Sequence, residues 1–215
     1  MMTRRFRSDA FFAIVLIAMS LGVARGQQTP RFDELVREDF FAGLGGDETK
    51  FQRAMKLCED TLAKQPKHAE AMVWHGSGLM WLAGQSYQKA DLQRGSELWE
   101  QGLKEMNEAL ALEPNNVGVL IPRGATFLEA SKHVPMPDVQ QSLLQQGLAA
   151  YEKTLTLQQS YFASLSVHAK GELLIGLADG WDRAGDKRNA RAYYERILKD
   201  CPGSSYAERA KKWLQ

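Results

Sequence analysis

The chain has 215 residues and a mass of 24.1 kDa, enough for one domain with a substantial core and crowded for two. Apolar residues make up 44% of it and charged residues 25%, close to ordinary globular averages, which excludes wholesale disorder. A formal net charge of +1 gives no broad basic field of the kind nucleic-acid binding needs, so nucleic acid is not an expected partner.

The first segment reads as an address. Arg4, Arg5 and Arg7 precede an apolar run from Ala10 to Ala24, and Ala24-Arg25-Gly26 sets small residues three and one positions before a cleavage point. Residues 1–26 are therefore expected to be a secretory signal peptide and 27–215 the mature domain, bound for the periplasm or the extracellular space. The run is shorter than the ~20 apolar residues a membrane span needs, so no span is expected after cleavage; an uncleaved anchor is the alternative. Loss of four arginines and one aspartate would leave 23 basic against 25 acidic side chains, a net charge of −2.

From residue 30 onward apolar positions recur at helical spacing, no stretch alternates as a strand would, and Gly or Pro separates successive windows, so the class is all-α. Residues 33–66 form a degenerate first pair, with Phe51, Ala54, Cys58, Leu62 and Pro66 on its second helix. A second pair opens with Met72, Gly76 and Leu79 and closes with Gly102, Met106, Ala109, Leu112 and Pro114. Its extra residues 85–97 predict either longer helices or a longer turn around Arg94-Gly95-Ser96. A third runs from Leu120, Gly124 and Phe127 to Gly147, Tyr151 and Leu157, interrupted by residues 133–138. There Asp138, with Gln141 three positions later, has the pattern of a capping box. Pro122 predicts a helix that begins near residue 121 or bends there. The last pair sets Leu174, Leu177, Ala178 and Trp181 on one face, turns at Gly185-Asp186 and resumes with Ala190, Tyr194 and Ile197 before Pro202. Residues 205–214 then form a terminal helix whose Tyr206, Ala210 and Trp213 cover the exposed end.

This spacing resembles the tetratricopeptide repeat, a unit of roughly 34 residues with large apolar, small, aromatic, Ala, aromatic, Ala and Pro positions in fixed order. Residues 171–204 carry the match most fully, with Ala178 and Ala190 at small positions, Trp181 and Tyr194 at aromatic ones and Pro202 at the close; Ile197 departs from the usual Ala. The string EMNEALALEPNN at 105–116 is the other family-like phrase. The resemblance covers about residues 33–215 and implies an exported member with divergent, insertion-bearing repeats. Its fold would be a right-handed solenoid of about four helix pairs plus a capping helix, with a generic helical bundle or a different helical solenoid as the alternative.

Chemistry is sparse by comparison. His68, His75, His133 and His168 have no mutual spacing that fixes a metal site or a general base, and His75 on its helix reads as a hydrogen-bonded structural residue. Leu44-Gly45-Gly46-Asp47 lacks the Lys and Ser or Thr of a phosphate loop and reads as an interhelical turn. Cys58 and Cys201 lie near opposite ends of the array and are expected unpaired. Asp179 and Asp182, three apart on one helix, could hold a cation but read as an acidic edge. No catalytic residue, cofactor or metal is expected, and the protein is read as no enzyme.

In the resembled family the first helix of each pair lines the concave side. That implies a groove built from Glu70, Val73, Trp74, Ser77, Met80 and Trp81, then Ile121, Ala125, Leu128 and Glu129, then Glu172, Ile175, Asp179, Asp182 and Arg183. Trp74 and Trp81 would supply binding energy there, unless they pack beneath the inserted segment. Chaperone-adaptor members clamp a terminal carboxylate with Lys and Asn, but Val73, Ser77, Ile121 and Ala125 stand at those positions, so that clamp is missing. The function implied is a scaffold or adaptor that binds a protein or peptide through its concave face. The alternatives are a self-associating envelope subunit and a small-ligand binder or enzyme with an unfamiliar pocket.

Overall fold

The computed structural model describes residues 31–215; the signal-peptide reading of residues 1–26 lies outside them. The described chain is helical throughout. Helices α1 (Phe32–Leu44) and α2 (Glu48–Lys64), α3 (Ala69–Gln88) and α4 (Leu92–Leu112), α5 (Val117–Ala130) and α6 (Pro137–Gln158), and α7 (Val167–Arg183) and α8 (Lys187–Asp200) pack as four successive hairpins. A short 3-10 segment, Gln159–Ser164, links α6 to α7, and α9 (Ser205–Leu214) lies on the last hairpin. None of these helices is long and apolar enough to cross a membrane.

Most helices start on a polar cap that takes up an otherwise orphaned backbone N–H. Asp47 accepts from Lys50 N, Asp91 from Arg94 N and Asp186 from Asn189 N, while Ser166 and Ser204 do the same for α7 and α9. His68 also caps, its Nδ1 accepting from Ala71 N at 3.1 Å, which fixes the ring as the tautomer protonated on Nε2. Glycine allows a close helix crossing. A Cβ at Gly102 would lie 2.7 Å from the Gly76 carbonyl oxygen and one at Gly76 2.8 Å from that of Gly102, so α3 and α4 touch backbone to backbone.

Two apolar clusters form the interior. The first gathers Phe32, Val36 and Phe40, Phe51 and Cys58, most of α3, Leu98 and Met106, and reaches Leu143 on α6. The second runs from Leu128 through Leu148 and Tyr151 to Leu173, Leu174, Leu177, Ile197 and Ala210. Phe127 and Leu128 are chain neighbours in different clusters, so α5 is the wall between them. Cys58 and Cys201 are free, buried and one to each cluster. His75 is buried where α2, α3 and α4 meet, its Nδ1 2.6 Å from Glu105 Oε2 and its Nε2 3.8 Å from Glu59 Oε1.

The order of pairing follows the sequence, and the differences are local. The extra residues after position 84 lengthen two helices instead of forming a long turn: Arg94, Gly95 and Ser96 lie inside α4, and the reversal sits at Lys89–Asp91, with Ala90 at φ 61°. A side chain at Gly95 would collide with the Tyr87 ring, which lies 2.5 Å from where its Cβ would be. The capping box at Asp138 does not form. Pro137 starts α6 at its first position, where a missing N–H costs nothing, and Asp138 is already inside the helix. Pro122 is buried within α5, which begins earlier, at Val117.

Candidate functional site

The residues expected to line a groove separate into two groups. On α3, Val73, Trp74, Ser77 and Met80 are interior residues, each 5% exposed or less, and so present no surface to a partner. The cause is their neighbours. Phe40 and Phe41 of α1 meet the Trp74 ring at 5.1 and 6.3 Å, and Thr126 of α5 donates a hydrogen bond to Ser77 Oγ at 2.9 Å. Trp81 is half-buried against Phe51, with ring centroids 4.4 Å apart. Glu70 accepts from Asn116 Nδ2 at 3.0 Å and ties α3 to the start of α5. Leu128 of α5 is likewise buried.

The remaining residues stay accessible. Ile121 is half-buried, Ala125 and Glu129 are exposed, and Glu172, Ile175, Asp179, Asp182 and Arg183 form a half-exposed stripe along α7. At helical spacing these α7 positions fall within one face. Each charge on the stripe is engaged. Asp179 accepts from the Tyr194 hydroxyl at 2.6 Å and from the Arg209 guanidinium, joining α7 to α8 and α9. Asp182 pairs with Lys187 at 2.6 Å. Arg183 reaches back to α5 and donates to the Leu128 carbonyl and the Ser131 hydroxyl, satisfying the open carbonyl end of that helix.

Two residues that the sequence did not single out for this face, His168 and Tyr206, complete it, and a third, Tyr151, is buried behind it. The Tyr206 hydroxyl of α9 lies 2.9 Å from His168 Nδ1, and His168 Nε2 is 3.8 Å from Glu172. Burial pushes the Tyr206 phenol up, Glu172 adds to the shift, and the Arg37 guanidinium of α1 opposes it. Tyr151 threads from α6 between α5 and α7: a Cβ at Gly176 would lie 2.4 Å from its Cζ, and one at Gly124 3.0 Å from its ring. Burial drives the Tyr151 phenol far up, with Glu172 and Asp179 contributing. The signal for it was present in the sequence, because Gly124 and Gly176 are glycines inside helices where an alanine would otherwise be favoured.

An open hollow of about 700 Å³ lies between Arg31, Phe32, Pro66, His68, Glu70 and Glu113, and it shares no lining residue with the α7 stripe. No group of three or more His, Cys, Asp or Glu residues forms a metal-binding cluster among the described residues. The Cys58 thiol, pushed up to about 12 by burial and by the nearby Glu105 and Glu59 carboxylates, is held protonated. No protein-family model matches the chain, and no curated protein matches it.

Proposed function

We propose that the mature protein is an exported, non-catalytic scaffold of tetratricopeptide-like helix pairs, curved as a right-handed solenoid, that binds an extended protein segment on the side lined by its first helices. Two packing facts support the curvature. The first helices touch in series, α1 to α3, α3 to α5, α5 to α7 and α7 to α9, and no two second helices pack on that scale among the described residues. A stack drawn tighter on one side bends toward it. The observation that carries the reading is this serial contact of the first helices from α1 to α9.

The face left to a partner is narrower than the sequence implies. It consists of Ile121, Ala125 and Glu129, the α7 stripe, and the Tyr206 and Arg209 side chains beside it. Mixed charges of this kind set association rate and register, and the half-buried Ile121 and Ile175 are the apolar anchors.

The test is site-specific photocrosslinking in the native envelope, with the crosslinker at Ala125 or Ile175 and, as control, at Lys104 on α4. Ala125 and Ile175 should capture one common protein and Lys104 none. Equal capture at all three positions, or at Lys104 alone, would remove the first-helix face as the binding surface. Export has its own check: the recovered protein should begin near Gln27, and peptides spanning Phe11 to Leu21 in it would refute cleavage.

A further inference from the structure

Among the described residues Arg123 is the one buried arginine, and its hydrogen-bond partners are neutral. It lies on the side of α5 opposite Ile121, Ala125 and Glu129, it is 5% exposed, and its Nη2 donates to Asn107 Oδ1 of α4 at 3.1 Å and to Gln146 Oε1 of α6 at 2.7 Å. Its guanidinium carbon stands 4.2 Å from the Phe127 ring centroid. Among the described residues it makes no salt bridge, and burial alone, with no carboxylate opposing it, pushes the guanidinium down to about 10. Arg183, by contrast, has Glu129 and Asp179 acting on it. A buried cation left without a counter-charge is costly, and amide dipoles offset only part of that.

We propose that Arg123 anchors a site for a small oxyanion, a carboxylate or phosphate group, at the junction of α4, α5 and α6. Unspent donors belong to the hydrogen-bonded group around it. Arg123 Nε is buried without a partner, whereas Nη1 makes no hydrogen bond among the described residues and is not enclosed in the same way. Asn107 and Gln146 are both exposed, which sets the junction at the surface. The Asn107 amide N–H groups donate to nothing described, and Ser142, whose Oγ accepts from Gln146 Nε2 at 3.1 Å, keeps its own O–H proton to give. An oxyanion here would take Nη1, the Asn107 amide and the Ser142 hydroxyl, and would supply the missing charge. The site lies away from the α7 stripe and does not depend on the scaffold reading.

The experiment compares thermal melts of the full mature chain in sodium phosphate, sodium acetate and sodium chloride at matched ionic strength. At roughly ten times Kd an oxyanion should raise the wild-type midpoint saturably by about 3–5 °C over chloride. Arg123→Met should abolish the rise. Asn107→Leu, at an exposed position and so tolerant of change, should move the half-saturating concentration up about tenfold, and it decides the matter if Arg123→Met does not fold. A response to phosphate alone assigns a phosphate group, and one to acetate assigns a carboxylate such as a partner's acidic side chain or terminus. Identical wild-type melts in all three salts, or an undiminished response in Asn107→Leu, would overturn the site.

Discussion

α3 and α7 hold equivalent places in their hairpins, each packed on its own second helix, on the preceding hairpin and on the helix two ahead, yet one is closed and the other open. From Ala69 to Met80 every α3 residue except Glu70 is buried, whereas α7 keeps the edge from Glu172 to Arg183 half-exposed. The difference lies in side chains at matching positions. Where α3 has Val73, Ser77 and Met80, α7 has Ile175, Asp179 and Asp182. Small and apolar groups let α1 and α5 close over α3, and a helix apolar on every side is a buried helix. Charged groups on α7 keep their ends in water and bridge to α5, α8 and α9 by hydrogen bonds. Identical packing order therefore produces a core strut in one hairpin and a usable surface in another.

The largest test of that contrast is at the glycines. Gly102→Val would drive a side chain into the Gly76 carbonyl and the Met80 backbone N, neither of which can yield, and should cost more than about 4 kcal/mol or prevent folding. Gly176→Ala meets only the Tyr151 ring and should cost about 1–3 kcal/mol. Urea denaturation of both variants checks the ranking, and a reversed order would mean that α7, and not α3, is the tighter crossing.

Next comes the pair Trp74→Ala and Asp179→Asn. Trp74 is core, so its loss should lower unfolding stability by about 3–5 kcal/mol and leave capture by a crosslinker at Ile175 in the surviving folded protein unchanged. Asp179→Asn weakens the bonds to Tyr194 and Arg209 for about 1 kcal/mol, and should change the salt dependence of partner binding instead. A Trp74→Ala protein that melts like the wild type would return Trp74 to the binding surface.

The smallest effect at neutral pH, visible only in alkali, separates the two clusters by titration. Groups whose acidic form is favoured on folding stabilise fully below their unfolded value and lose that contribution as pH rises past it. Cys58, on the α3 side, has an unfolded value of about 8.5, and Tyr151 and Tyr194, on the α7 side, about 10; burial raises all three in the folded chain, and the hydrogen bond to Asp179 raises Tyr194 further. The urea midpoint should therefore begin to fall above about pH 9 and steepen above about pH 10. In Cys58→Ala the first decline should shrink to the part that the buried Cys201 thiol, also raised, contributes, and the second should remain. A single decline shared by both proteins would place the linkage elsewhere.

Much of this was written locally. The Gly45–Asp47 and Gly185-Asp186 turns, the apolar rows of α2, α4 and α8, and the α9 cap stand where the pattern put them, because capping and helical amphipathicity depend on residues within a turn or two. The α7 stripe was legible for the same reason. What misled was α3, whose Trp74 reads equally well as groove or core and whose Val73 the resemblance puts in the groove.

The amino-acid sequence by itself determined the helices, their order and their hairpin pairing, since each follows from spacing, caps and breakers short enough to act within one element or between adjacent ones. Tertiary structure alone decided which first helix is buried, how Tyr151 fits between Gly124 and Gly176, that Arg183 closes the end of α5, and that Arg123 stands without a counter-charge. Each of those outcomes depends on the volume and charge of side chains that another element brings from 16 to 55 positions away, and no local pattern encodes what will stand opposite.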